Sequence, residues 1–384
     1  MANRHKSLYN MYDIRRYMDG NEFKVIVDTA NEKYNQAVWK QFGSWDRPSD
    51  SRTWSQGEKS IPIYARASLL GPHSRKPLRN TSGWKFYGGS TPKFGHGFGI
   101  DEDDLYKLRE VKNNTGEPLS NLFYDSLLTN SEDILGGMHN ELSHMCLELA
   151  STGEIHEQSV DGVNYDFTFE FEQNQFIDCD PKWFDTNGDP VTTSGGKTVN
   201  VIKDILATQK MFTEVQHRKV DHWKISKTLL DMILDHPSVL GSYLANRDIQ
   251  SGNQASFIAT QKELLQFMHD RGVWYFHVND FRTSHEEDGQ AVADPPAFDI
   301  HNMVAADSSQ KMFDIKNTNS IWKDRQSYGG IDPSKMYHFV EGRIAALSKW
   351  EEDPISNVVQ FELYAGPVFR SLRNYGLLST WSDT

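Results

Sequence analysis

Residues 131–152 read SEDILGGMHNELSHMCLELAST and are followed by Gly153. The apolar residues Ile134, Leu135, Met138, Leu142, Met145 and Leu149 recur at three- and four-residue steps, the period of a helix with one buried stripe. Ser131 is placed to cap its first turn, Glu132 and Asp133 to meet its positive end, and Gly153 to stop it in a left-handed conformation. The predicted helix has about 21 residues and a length of roughly 31 Å. Just beyond it, residues 163–172 alternate Tyr165, Phe167, Phe169 and Phe171, the mark of a half-buried strand. A long helix feeding a long hairpin makes a rigid spine on which the remaining segments hang, and it sets the fold class as α+β.

At 384 residues the chain is too long for one ordinary core and implies two or three units. Its hydrophobic content of 38% is low against a usual ~45–50%, so parts of the chain extend and are ordered by partners. Aromatic residues at 12% argue against intrinsic disorder. Residues 1–100 carry 16 Lys and Arg against 8 Asp and Glu, leaving 24 against 45 for the rest and −13 for the whole. A basic front and an acidic body attract each other, within one chain or between copies. Nucleic-acid binding by the front is the rival reading, but its basic residues are interleaved with Gly and Pro and form no basic helix or stacking motif. Cys146 and Cys179 form no disulfide framework or zinc cluster, and Cys146 reads as a buried free thiol. With no secretory signal and no apolar run of membrane-spanning length, synthesis in a reducing cytoplasm is expected.

Residues 1–55 form an arm of short amphipathic pieces, such as 31–42 with Tyr34, Val38 and Trp39. Residues 60–70 alternate as a strand. Residues 71–99 are rich in glycine, contain three prolines and have almost no apolar pattern. A structureless loop of that length does not belong inside a compact domain, so the stretch reads as a two-stranded finger that leaves the body and lies on a neighbour. Its basic residues Arg75, Lys76, Arg79, Lys85 and Lys93, with no Asp or Glu, suit an acidic landing surface. Further on, 199–216 reads as a helix, 222–226 as a strand, and 227–244 as a helix broken at Pro237. Residues 273–278 and 298–306 read as strands flanking a polar hairpin or loop at 281–296. Residues 336–353 are polar and mixed, and 358–370 close the chain as one strand or a bent pair around Gly366 and Pro367.

No motif amounts to a catalytic signature. Gly195-Gly196-Lys197-Thr198 lacks the upstream glycine of a phosphate loop and reads as a glycine turn. His139 and His144 are five residues apart around Glu141, which puts them on different helix faces and excludes a shared zinc ion; they read as solvent or interface histidines. Asp185, Asn187 and Asp189 have the opening spacing of a calcium loop but Pro190 where it needs Gly, so they read as an Asx turn. His285, Glu286, Glu287 and Asp288 read as a solvated loop tip. A carboxylate pair for glycoside hydrolysis is not testable by spacing. No cofactor or metal is expected.

The order of parts is more specific than any one residue. A glycine-rich basic finger precedes a spine ending LELASTGEI and the hairpin GVNYDFTFEFE. HWKISKTLLDMILDHPSVLGSYL follows, then RGVWYFHVND, a loop containing EEDGQ, PPAFDIHNMVAA and VVQFELYAGPVFR. Over residues 60–375 this resembles the major capsid proteins of tailed bacteriophages with the Hong Kong 97-type fold, most closely the lambda-type head proteins. The resemblance implies an N-terminal arm at 1–55, an extended loop at 56–105, a peripheral domain at 106–180, an axial domain at 181–340 and a return to the peripheral domain at 341–384. It implies a non-enzymatic subunit of a virion, assembled in the host cytoplasm as hexamers and pentamers into an icosahedral shell around double-stranded DNA. Separate scaffolding, portal and decoration proteins are the expected partners, the DNA is held without sequence-specific contacts, and no membrane is involved. Arg75, Lys76, Arg79, Lys85 and Lys93 would then meet Glu132 and Asp133 on an adjacent subunit's spine. An encapsulin-like compartment or gene-transfer particle stays open within the fold. A carbohydrate-active enzyme or binding module stays open outside it.

Overall fold

The computed structural model describes residues 21–59, 84–115, 119–158, 164–169, 171, 175–246, 260–287, 290–327, 335–352 and 355–381. The spine helix spans Leu119–Thr152, 34 residues, and so begins well before the expected Ser131 cap. The reason is the stripe itself: Phe123 and Leu127 extend it upstream at four-residue steps, and they are buried together with Ser131. Glu132 and Asp133 consequently lie in the body of the helix, and its first turn holds no acid. The expected stop is observed. Gly153 has φ +81°, and a Cβ there would lie 2.1 Å from the Phe171 ring.

In chain order the strands are β1 (Gly43–Trp45), β2 (Thr53–Lys59), β3 (Trp84–Ser90), β4 (Lys93–Ile100), β5 (Glu154–Gln158) and β6 (Asn164–Thr168). They continue with β7 (Phe176–Asp178), β8 (Thr193–Ser194), β9 (Lys197–Thr198), β10 (His222–Ser226), β11 (Phe276–Asn279), β12 (Ser284–Glu287) and β13 (Gln290–Ala293). The last are β14 (Asn302–Ala306), β15 (Phe313–Thr318), β16 (Lys335–Val340), β17 (Ile344–Glu352), β18 (Ile355–Phe369) and β19 (Tyr375–Ser379). The chain divides into two units, one within Met1–Thr53, Ser90–Cys146 and Asp314–Val368, the other within Trp54–Gly89, Leu147–Phe313 and Phe369–Thr384.

The first unit is built on a six-stranded sheet ordered β1-β15-β18-β17-β16, with β4 also paired to β18. β4 runs antiparallel from Lys93↔Tyr364 to Ile100↔Asn357. This corrects the reading of 71–99 as one finger, because residues 93–100 belong to the sheet. The glycines that resembled a loop are what admit the strand: a Cβ on Gly95 would lie 2.4 Å from the Phe361 carbonyl oxygen. The sequence also hid the β16–β17 hairpin in 336–353. Its buried positions include Ala345, Ala346 and Ser348, too small to print an apolar alternation, and its turn at Glu341 and Gly342 has φ of 50° and 71°.

The second unit centres on a five-stranded sheet ordered β11-β10-β14-β19-β7. Trp223, Ile225, Met303, Ala305 and Leu378 share a buried cluster with residues of the helices Val201–Lys210, Lys227–Asp235, Pro237–Asn246 and Gln261–Asp270. The break at Pro237 is as expected. Ser226 caps the first helix of that pair by accepting from the Leu229 N–H at 3.1 Å, His236 is extended, and Pro237 opens the next helix. β19 was not legible. It is a short run buried at every residue, so it shows no alternation, and it lies past the expected closing strand.

Gly153→Ala should lower stability by about 2–4 kcal/mol, through the strained φ and the clash with Phe171. Gly137→Ala in the same helix, where a Cβ meets nothing within 4 Å, should raise it by about 0.5–1 kcal/mol. Urea unfolding of both variants checks the pair.

Candidate assembly surfaces

β2 and β3 form a two-stranded ribbon with two unlike faces. On one, Trp54 meets Phe167 edge-on with ring centroids 5.7 Å apart, and Tyr87 packs on Phe169 at 4.8 Å. Gln56 Nε2 donates to the Phe369 carbonyl at 2.9 Å. The other face carries Ser55, Gly57 and Gly88 and leaves Phe86 77% exposed. Of the basic residues singled out in the sequence, Lys85 lies in β3, and Arg75, Lys76 and Arg79 lie outside the described residues.

Lys93 opens β4. Its Nζ lies 2.8 Å from Glu362 Oε2 and 5.3 Å from the centroid of the Tyr364 ring. Ser320 Oγ donates to the other Glu362 oxygen, and Glu362 is buried. Partial burial works against the ammonium, but its hydrogen bonds to Glu362 and Tyr364 outweigh that and hold its pKa above the ordinary value. On the spine, Lys33 Nζ donates to the Glu132 carboxylate, which raises the Lys33 pKa. Tyr34 Oη donates to the Glu132 backbone carbonyl at 2.8 Å. Asp133 is exposed. Lys93 and Glu132 are thus engaged by Glu362 and Lys33 of their own chain.

His139 corrects the solvent-histidine reading. It is 1% exposed, between Tyr34, stacked at 5.3 Å, and Trp39, at 6.1 Å and nearly parallel. Trp39 Nε1 donates to Nδ1 at 3.0 Å, so the ring proton sits on Nε2, which donates to Asn31 Oδ1 at 3.0 Å. Burial, then the nearby Lys40 charge, push its pKa down to about 4. The neutral tautomer ties three residues of the 31–39 segment to the spine. A sequence signal existed, an aromatic-rich segment in an arm and a histidine near a helix stripe, but no local rule joins residues a hundred positions apart.

The remaining motifs resolve as turns. Asp185 Oδ1 accepts from the Asn187 and Asp189 N–H groups at 2.9 Å each, an Asx turn. Gly195 and Gly196, with φ of 57° and 78°, make the β8–β9 turn, and Lys197 pairs with Asp180 at 2.6 Å. Burial raises the Cys146 and Cys179 thiol pKa values, so neither is a thiolate at neutral pH. A groove of about 340 Å³ includes Asp231 and Asp235, one helical turn apart; the Asp231 carboxylate is taken by Lys227. No helix among the described residues is long and apolar enough to cross a membrane.

No family profile matches the chain, and no curated protein sequence does. Solved structures do. A prophage protein from E. coli CFT073, assigned as a capsid protein, superposes with TM-score 0.53 and 10% identity over 94% of this chain and 98% of its own. A phage-related protein from Bordetella bronchiseptica RB50 aligns at TM-score 0.45 and 12% identity over 92% and 96%. The capsid of Myoviridae phage XM1 aligns at 0.43 and 10% over 88% and 89%. At such identity the first match shows a shared fold: this chain has the mixed α and β fold of that prophage protein.

His139 predicts an acid response. Below pH 6.5 the unfolded chain takes up a proton that the folded chain resists until about pH 4. Stability present above pH 6.5 therefore falls across that window, at about 1.4 kcal/mol per pH unit and about 3 kcal/mol in all. His139→Gln should flatten this part of the pH profile relative to the unaltered chain, measured by urea unfolding at pH 4.5, 5.5 and 7.

Proposed function

We propose that this chain is the major capsid protein of a tailed bacteriophage, of the Hong Kong 97 type. It assembles as hexamers and pentamers into an icosahedral shell that encloses double-stranded DNA. The observation that carries this reading is the shared fold with a prophage capsid protein over nearly the full length of both chains. The low apolar content and the exposed Phe86 face of the β2–β3 ribbon support it, since a shell subunit buries part of its surface only against neighbours.

On this reading residues 1–55 are the arm and 56–105 the extended loop. The peripheral domain takes 106–180 and 341–384, and the axial domain 181–340. Function is geometric rather than catalytic. Scaffolding, portal and decoration proteins are separate chains, and packaged DNA is held without sequence-specific contacts. Arg75, Lys76, Arg79 and Lys85 reach Glu132 and Asp133 on an adjacent subunit's spine. Asp133 is open to such a partner, and Glu132 exchanges or shares Lys33. Lys93 joins this set only by giving up Glu362.

Replacing Arg75, Lys76 and Arg79 together by Glu should abolish closed particles in negative-stain electron microscopy, while circular dichroism and sedimentation report a folded, soluble subunit. Shells of normal yield and size would remove the finger–spine contact. An unaltered chain that stays monomeric, alone and with its neighbouring genes, would remove the shell reading itself.

A further inference from the structure

His144 cannot share an ion with His139, but Glu148 follows it one turn later on the same face of one unbroken helix. Past the Gly153 stop the chain returns beside the helix as β5, where the His156 N–H donates to Glu148 Oε1 at 3.2 Å. By the alternation of a strand, Glu157 falls on the side of β5 that buries Ile155. His144, Glu148 and Glu157 thus each offer one donor atom, and the three atoms lie within 4.8 Å of one another. All three residues are half-buried. Among the described residues no other three His, Cys, Asp or Glu donors meet so closely.

Short-range contacts frame this cluster. Thr152 Oγ1 donates to the Glu148 carbonyl at 2.8 Å and accepts from the Glu154 N–H at 3.1 Å. The Phe169 N–H donates to the Gly153 carbonyl at 2.9 Å, and the β5–β6 register runs from Glu154↔Thr168 to Gln158↔Asn164. The helix end and the strand that supply the donors are therefore tied together through the turn between them. The Glu148 carboxylate is itself oriented by a strand N–H, the kind of outer contact that fixes a ligating carboxylate. His156 is not part of the set, because its ring is held between Asp166 and Glu154 at 3.0 Å each.

We propose that His144, Glu148 and Glu157 form a binding site for one divalent transition-metal ion, zinc in the first instance. One imidazole nitrogen with two carboxylate oxygens is a borderline donor set. It has no thiolate for a soft ion and too few oxygens for calcium, which takes about six to eight. Two carboxylates this close repel each other, and a dication offsets both charges. Around a tetrahedral zinc with bonds of about 2.1 Å, donor atoms stand roughly 3.4 Å apart. From 4.8 Å these donors need to close by no more than about 1.4 Å, within reach of side-chain torsions. Each of the three residues has other contacts within the chain; the ion takes their place, and water fills its fourth position. The bound ion pins β5 to the spine, which stabilises a two-stranded hairpin too small to stand alone. The site does not depend on the shell reading.

The test uses the full-length chain, stripped with EDTA and titrated in a calorimeter with the chlorides of zinc, manganese, calcium and magnesium. One equivalent of zinc should bind per chain, more tightly than calcium or magnesium. His144→Gln and Glu157→Gln should each weaken zinc binding at least about tenfold. Glu154→Gln, which changes an acid of the same strand outside the cluster, should leave it within about twofold. Zinc should also raise the urea midpoint of the unaltered chain but not of the two ligand variants. X-ray absorption at the zinc edge needs no variant, and should show nitrogen and oxygen neighbours that include one imidazole. Circular dichroism checks the fold of each variant, and the absorption spectrum decides the matter where one fails to fold. Zinc binding that folded ligand variants do not weaken, or a metal shell without imidazole, overturns the site and marks the ion as adventitious. Calcium bound in preference to zinc, or no saturable binding of any of the ions, overturns it as well. Assembly is not the readout, so each of these outcomes leaves the shell reading untouched.

Discussion

The apolar stripe of the spine helix is the constraint on which the rest depends. A 34-residue helix is about 51 Å long, far longer than one small core can cover, so distant parts of the chain must cover successive stretches of it. Around its middle, Tyr34, Trp39 and Asn31 hold Glu132, Ser143 and His139. At its end, Tyr375 Oη donates to the Ala150 carbonyl at 2.8 Å, Asn302 Nδ2 to the Ser151 carbonyl at 3.0 Å, and the Asp299 N–H to Ser151 Oγ at 2.9 Å. Partners that far apart in sequence form only after costly loop closure. The hydrogen bonds matter less for net stability than for register. Each is modest when made and expensive when broken in the interior, so they fix which residue of a repetitive stripe meets which partner.

The same logic explains the buried polar groups. His139, flanked by two rings and bonded through both nitrogens, and Glu362, gripped by Lys93 and Ser320, would each be penalised if left unpaired. A leucine at either position would pack as well in many registers. A histidine that needs an indole donor on one side and an amide acceptor on the other packs well in one.

The sequence made visible what is periodic and local. The spine stripe, the Gly153 stop, the β10 strand running into a helix broken at Pro237 and the polar hairpin at 281–296 all have short-range causes. What stayed hidden has non-local or negative causes. The upstream part of the spine has no acid in its first turn to mark where it starts. β17 buries alanine and serine, β16 is half-buried at every position but Val340, and β19 is buried on both faces, so none of them alternates visibly. β4 looked like a loop because its glycines matter only against the β18 backbone. Of the candidate contact residues, the spine acids and Lys93 could be chosen from charge alone, but not their partners. Lys33 and Glu362 lie far from them in the chain, and His139 could be placed inside only once Trp39 was seen to reach it.

β2–β3, β5–β6, β8–β9 and β12–β13 are each too small to stand alone. β2–β3 and β5–β6 solve this by stacking Trp54 and Tyr87 on Phe167 and Phe169, yet the ribbon still turns Phe86 outward. β8–β9 is pinned by Lys197 on Asp180. A chain that spends residues on such projections has less apolar material for a private core, which is what its 38% hydrophobic content records. A free monomer would gain little from these outward faces. On the shell reading proposed above, such exposed faces would be covered by neighbouring copies, which would give the low apolar content and the small exposed hairpins one physical cause.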